Sequence, residues 1–345
     1  MSKKCLLFFS FDEFQKEITD LGLEAYRAKQ ILEWIHQKLV FDFHSMTNIP
    51  LSAREKLSEH FTQIVPKEIA RLTDEDGTMK ISIETENGAN VEAVAIPDDE
   101  ALTYCLSSQA GCPVGCKFCR TGTGKYRGDL KASEIIAQLF TLIQAKKTKP
   151  TNIVFMGMGE PFLNSHEVFS AIDVLTDKKG FNFATRRITI STVGVPKGIR
   201  ELAERPGEVN LAVSLHSADN DTRSRLVPLN KTHPLEKLRS AIVNYIEKTG
   251  RRVSFEVVLL KKINDQDYDA MNLVNFCQGL LCHINLVRFN PFPSCHFLPS
   301  EKSAENEFKK IIKKAGIPVT VRRSRGNSIL AACGQLSGDQ FSGDQ

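Results

Sequence analysis

The chain has 345 residues, 41% hydrophobic and 25% charged, with a net charge of +4; this balance suits a globular body with a substantial core and gives too little charge to imply nucleic acid by itself. No apolar stretch approaches the roughly 20 residues of a membrane span, and the run from Leu6 to Phe9 is too short for a signal peptide, so a cytoplasmic location is expected. Nine cysteines, an odd number in a chain of this kind, argue against a disulfide scaffold.

Residues 11–62 read as helical. In AYRAKQILEWIHQKL, Ala28, Ile31, Leu32 and Ile35 recur at helical spacing between polar positions. A small helical module over 1–65 is therefore expected. From 66 to 98 the pattern turns to antiparallel strands, with Asp76-Gly77 and Asn87-Gly88 flanking the alternating run Met79 to Ile83. Beyond residue 99 strand-like and helix-like segments alternate. Strands are predicted over 102–108, 152–157, 187–192, 209–216, 252–260, 284–290 and 319–323, with helices over 132–147, 234–248 and 304–316 among those between them. This alternation implies an α/β fold with a parallel sheet, and about six βα units favour a partial or full barrel over 99–338. In such folds the chemistry collects at the C-terminal ends of the strands. The tail 339–345 is expected to be disordered.

The segment GCPVGCKFCRTG follows the first core strand and carries Cys112, Cys116 and Cys119 in C-x3-C-x2-C spacing. Thiolates suit zinc or iron–sulfur clusters. A structural zinc site closes with four ligands, and no second cysteine pair or nearby histidine follows here. Three thiolates would leave one iron of a 4Fe-4S cluster open, as a binding position. GTGK at 122–125 is not a phosphate loop, because no glycine stands at the required upstream spacing and Tyr126 occupies the position of the magnesium-binding Ser or Thr.

C-x3-C-x2-C with Phe118 before its last cysteine resembles the signature of the radical S-adenosylmethionine (SAM) superfamily. Further motifs narrow the resemblance: YCLSSQAGC at 104–112, GMGEP at 157–161, STVG at 191–194, SLH at 214–216, NPFP at 290–293 and AACGQL at 331–336. Together they resemble the RlmN/Cfr branch, RNA methyltransferases acting at C2 or C8 of adenosine, over roughly residues 12–338. The resemblance implies a partial (β/α)6 TIM-like barrel with an N-terminal helical RNA-binding module and a short β-hairpin extension. It implies Cys112, Cys116 and Cys119 as ligands of the cluster, and SAM contacts from Gly159, Glu160, Ser191, Ser214, Leu215, His216 and Asn290. Cys333 matches the cysteine that carries a methyl group, and Cys105 matches the resolving cysteine that forms a transient disulfide with it. Glu92 matches the proton acceptor.

The chemistry implied uses two SAM molecules per turnover. One methylates Cys333. The other is split to a 5′-deoxyadenosyl radical, which takes a hydrogen from that methyl group, and the S–CH2 radical then adds to adenine. The branch acts on 23S rRNA at the peptidyl-transferase centre and, in many members, on tRNA at the adenosine 3′ of the anticodon. It draws electrons from a donor such as flavodoxin or ferredoxin and needs a reductant for the disulfide; a monomer is expected. Basic clusters at 146–149 and 309–325 fit an RNA partner, although solvated helix faces account for them equally. Ser328 and Leu330 stand where the branch usually has acidic residues, and Arg120 where it has a small one. A zinc-dependent RNA-binding protein and a radical SAM enzyme acting on a small molecule or protein are the competing readings.

Overall fold

The computed structural model describes residues 3–6, 9–62, 68–293 and 295–338. Near the N-terminus, helices Phe11–Asp20, Tyr26–His36 and Leu51–His60 turn their apolar stripes onto one another, burying Phe14, Ile18, Ala28, Ile31, Ile35 and Leu57. Ser10 starts the first helix with a reciprocal cap: its hydroxyl accepts from Glu13 N–H while the Glu13 carboxylate accepts from Ser10 N–H. The module seats on the barrel through His36, whose ring stacks on Phe140 at 5.8 Å and meets Phe181 edge-on at 5.6 Å. The Asp177 carboxylate also accepts from Phe11 N–H at 2.8 Å.

The body is a ten-stranded mixed sheet. Seven strands are parallel and lie in chain order: Ala101–Cys105, Asn152–Phe155, Ile188–Thr192, Asn210–Ser214, Val253–Leu259, Cys282–Arg288 and Val319–Arg322. Six helices cross between them: Ala132–Lys146, Ser165–Thr176, Pro196–Glu204, Leu235–Thr249, Asp267–Cys277 and Lys302–Lys314. A strand order that always advances the same way, with a helix on each crossover, coils a right-twisted sheet toward a barrel. Among the described residues the first and last parallel strands do not pair, so the barrel is open.

Before the first parallel strand the sheet continues without a break into three antiparallel strands, Glu68–Thr73, Met79–Glu84 and Asn90–Asp98. The extension is thus larger than the short hairpin expected, and it belongs to the main sheet. Met79 to Ile83 are buried at every position, polar ones included. Helix Ala132–Lys146 packs on these strands, and the C-terminal segment reaches Lys80, a contact that alternation alone does not reveal. The expected disordered tail, 339–345, lies outside the described residues. Among the described residues no helix is long and apolar enough to cross a membrane.

Candidate active site

The loop after strand Ala101–Cys105 is wound tightly. Cys119 N–H donates to Cys116 O at 3.2 Å, and Gly122 lies so close to Cys116 that a Cβ there would stand 2.8 Å from its backbone N and O. The thiols of Cys112, Cys116 and Cys119 line one wall of a cavity of about 230 Å³ at the strand ends. Burial raises all three thiol pKa values, Cys112 to about 12, and their mutual proximity adds to the rise at Cys112 and Cys116. For Cys119 burial is again the leading cause, with backbone and Thr121 hydrogen bonds opposing it. Desolvated thiols of this kind ionise when a cation replaces their protons. Among the described residues no three His, Cys, Asp or Glu side chains gather closely enough to hold a single metal ion. Three soft thiol donors on one tightly wound loop suit an iron–sulfur cluster.

Two strand-end loops form the opposite wall. Gly159 has φ +103°, and a Cβ there would lie 2.6 Å from Gln109 Cβ and 2.7 Å from Ser108 Oγ, so the GMGEP turn reaches its place only as glycine. The turn delivers Glu160, whose carboxylate accepts from Phe162 N–H at 3.0 Å and Val193 N–H at 2.7 Å. Burial pushes its pKa up to about 7 against those hydrogen bonds. Ser191 and Ser214 face each other across adjacent strand ends at 3.3 Å. His216 takes φ +60° and packs edge-on against Phe118 at 4.6 Å. Its Nδ1 accepts from Val258 N–H at 3.2 Å, and burial drives its pKa down to about 3, so the ring is neutral with its proton on Nε2.

Arg223, invisible as a site residue in the sequence, ties these loops together. It is 1% exposed. Its Nε donates to Leu215 O at 3.0 Å, its Nη1 to Asn230 Oδ1 at 2.6 Å and its Nη2 to Val193 O. DTRSRL reads as an exposed helix start, and nothing in that pattern marks one of its arginines as buried.

The loop carrying Cys333 covers the cavity mouth. Arg120 N–H donates to Gly334 O at 2.7 Å, Asn290 Nδ2 to Cys333 O at 3.2 Å and Gln335 Nε2 to Pro291 O at 2.9 Å. The bond from Arg120 uses only its backbone, so the departure at that position leaves the anchor intact. Leu330 has φ +50°, a conformation that Asp or Asn adopts more readily than Leu, which gives the other departure a local cost. Cys333 is exposed, whereas Cys105 is buried in the cavity wall, and both are free thiols. Burial pushes the Cys105 thiol up to about 12, the charge of Cys333 adds to this, and Arg322 opposes it. Arg322 lines the same cavity and bonds Glu256 at 3.2 Å. In the sequence it falls within the basic cluster at 309–325.

The fold thus gathers Cys105, Cys112, Cys116, Cys119, Gly159, Glu160, Ser191, Ser214, His216, Asn290 and Cys333 around one cavity. Two expected site residues lie elsewhere. Leu215 is a core side chain whose carbonyl accepts from Arg223 Nε, outside the cavity lining. Glu92 is buried beneath the residues that follow Cys333, with Oε1 3.0 Å from Lys80 Nζ and Oε2 accepting from Ser337 N–H at 2.8 Å.

Residues 106–274 match the Radical SAM superfamily, and residues 6–62 match the ribosomal RNA large subunit methyltransferase N-terminal domain. The chain is 43% identical to the dual-specificity RNA methyltransferase RlmN of Halorhodospira halophila, covering 92% of this chain and 89% of that one. It is 40% identical to a protein of Dictyoglomus turgidum described as a probable dual-specificity RNA methyltransferase RlmN, over 96% of both. The crystal structure of a radical SAM methyltransferase from Sphaerobacter thermophilus superposes with a TM-score of 0.94 at 39% identity, covering 97% of this chain and all of that one. The chain belongs to the RlmN family of the radical SAM superfamily.

Proposed function

We propose that the protein methylates C2 of adenosine in RNA, in 23S rRNA and in tRNA, with Cys333 as the carrier of the methyl group. The observation that carries this reading is the presence of Cys105 and Cys333 on the same cavity wall system as the three-thiol loop. Cys112, Cys116 and Cys119 would hold a 4Fe-4S cluster, which with two molecules of SAM and one external electron would supply a methyl cation equivalent and a 5′-deoxyadenosyl radical. Gly159, Glu160, Ser191, Ser214, His216 and Asn290 line the space for SAM. The neutral His216 and the paired serines offer hydrogen bonds without adding charge.

The residues of the chain then act in sequence. Cys333, as thiolate, takes the methyl group by displacement. After losing one hydrogen atom, its S–CH2 group bonds to the adenine carbon, which has no lone pair for a polar methyl transfer. A base removes the proton from that carbon, the adduct gives up its unpaired electron to a one-electron carrier, and the Cys105 thiolate attacks the Cys333 sulfur while the departing methylene carbon takes up a proton. The C–S bond breaks, methyladenine leaves, and a Cys105–Cys333 disulfide remains for an external dithiol to reduce. Arg322 lines the same cavity and favours the thiolate form of Cys105. Glu92 is a candidate for the base only once Ser337 and Gly338 leave its Oε2. RNA bound to the helical module would present an unstacked adenosine to the cavity.

Mass spectrometry of rRNA and tRNA nucleosides from cells with and without the gene tests the reading. Loss of 2-methyladenosine from both RNAs is expected, whereas loss of 8-methyladenosine would place the enzyme among the C8 methylases. Cys105→Ala is expected to accumulate a covalent RNA–protein adduct through Cys333 on a denaturing gel. A Cys105→Ala enzyme that releases methylated RNA normally would refute the resolving role.

A further inference from the structure

The segment bearing Cys333 is held along its length by the antiparallel extension rather than by the barrel alone. At its start, Gly326 N–H donates to Asp76 Oδ2 at 3.0 Å and Ser328 N–H to Asp74 Oδ2 at 3.3 Å. Lys80 Nζ then donates to Leu330 O at 3.1 Å, three residues before Cys333. Glu92 Oε2 accepts from Ser337 N–H at 2.8 Å and Gly338 N–H at 3.4 Å, four and five residues after it. Lys80 Nζ and Glu92 Oε1 stand 3.0 Å apart, and the two residues are 4% and 2% exposed. One buried ion pair thus grips both ends of the loop.

We propose that Lys80 and Glu92 are positioning residues that clamp the Cys333 loop over the cavity, so that the sulfur stands where methyl transfer to it can occur. This rests on the reading of Cys333 as methyl carrier. Two buried opposite charges alone are weak evidence of stabilisation, because desolvation offsets their attraction. Here each charge also holds a backbone group of the same loop, which gives the pair a task that an apolar pair cannot perform. The clamp accounts for Glu92 without contact between its carboxylate and the reacting atoms, and it brings in Lys80 beside it.

The test uses the full chain, purified anaerobically with its cluster. Lys80→Met with Glu92→Met removes the clamp without leaving a lone buried charge, and Lys80→Arg serves as the conservative variant. Three quantities are read: hydrogen exchange of residues 330–338, the fraction of Cys333 carrying a methyl group, and the thermal midpoint. In the double variant the loop is expected to exchange about ten-fold faster or more, from the loss of charge-assisted hydrogen bonds. Methyl occupancy of Cys333 is expected to fall several-fold while the thermal midpoint holds, and Lys80→Arg is expected to keep both loop protection and methylation. Unchanged exchange in the double variant overturns the clamp. If the double variant does not fold, Glu92→Gln carries the test. A pure base would leave Cys333 methylation intact in that variant and block only the later step; a clamp residue lowers methylation itself. A wild-type protein whose Cys333 is never methylated would sink the functional reading, while the exchange result would still decide the clamp.

Discussion

Replacing Arg223 by Met should weaken the fold and the proposed SAM site together. The Met side chain fills part of the guanidinium's volume but donates nothing. Leu215 O keeps the Ser217 N–H at 2.7 Å, while Val193 O and Asn230 Oδ1 lose the guanidinium as donor. At about 2 kcal/mol for each unsatisfied acceptor, the loss is about 4 kcal/mol. Against this, the wild type bears the burden of a buried cation. Burial pulls the Arg223 pKa from 12.5 down to about 10, which at about 1.4 kcal/mol per pKa unit is about 3 kcal/mol that the variant recovers. The net cost is therefore about 1 kcal/mol. The freed loops carry Val193, whose N–H holds Glu160, and lead directly from Ser191 and Ser214. SAM affinity should fall at least ten-fold. Urea unfolding of the cluster-loaded protein and equilibrium binding of SAM measure the two effects. A variant as stable as wild type, with unaltered SAM affinity, would show that Arg223 does not hold these loops.

Gly159→Ala should cost about 2–4 kcal/mol, from a disallowed φ and contacts with Gln109 and Ser108; Gly88→Ala, where a Cβ would meet nothing within 4 Å, is the control. Urea unfolding checks it, and equal midpoints for the two variants would refute the close-approach argument. His36 predicts acid sensitivity. Burial between the module and the barrel lowers its pKa from 6.5 to about 4. Above pH 6.5 the ring is neutral in both folded and unfolded chains; between 6.5 and 4 only the unfolded chain takes up the proton, so stability falls as pH falls. About 2 kcal/mol should be lost between pH 7 and 5, and His36→Phe should remove that slope in urea unfolding compared at the two pH values.

The parts of this protein legible in sequence are those whose cause is local. Helical spacing of Ala28, Ile31, Leu32 and Ile35 puts one face inward whatever lies opposite, and the three-cysteine loop declares its chemistry within eight residues. What stayed hidden depends on chain that arrives much later. Lys80 and Glu92 sit at polar positions of strands, where the pattern says solvent, and they are buried because residues 326–338 return across that face. Arg223 is hidden for the same reason, since its three acceptors lie on three different segments. Family motifs bridged part of this gap by marking Cys105 and Cys333 as partners, but motifs mark groups that react, not groups that hold them in place. The sign that could have raised suspicion is chemical. A lysine and a glutamate at diagonal positions of paired strands, Lys80 opposite Val94 and Glu92 opposite Ser82, form a pair suited to burial together, and a buried charge pair needs something polar to cover it. In this fold the cover is the loop that carries Cys333, so the contacts that bury the pair also hold both ends of that loop.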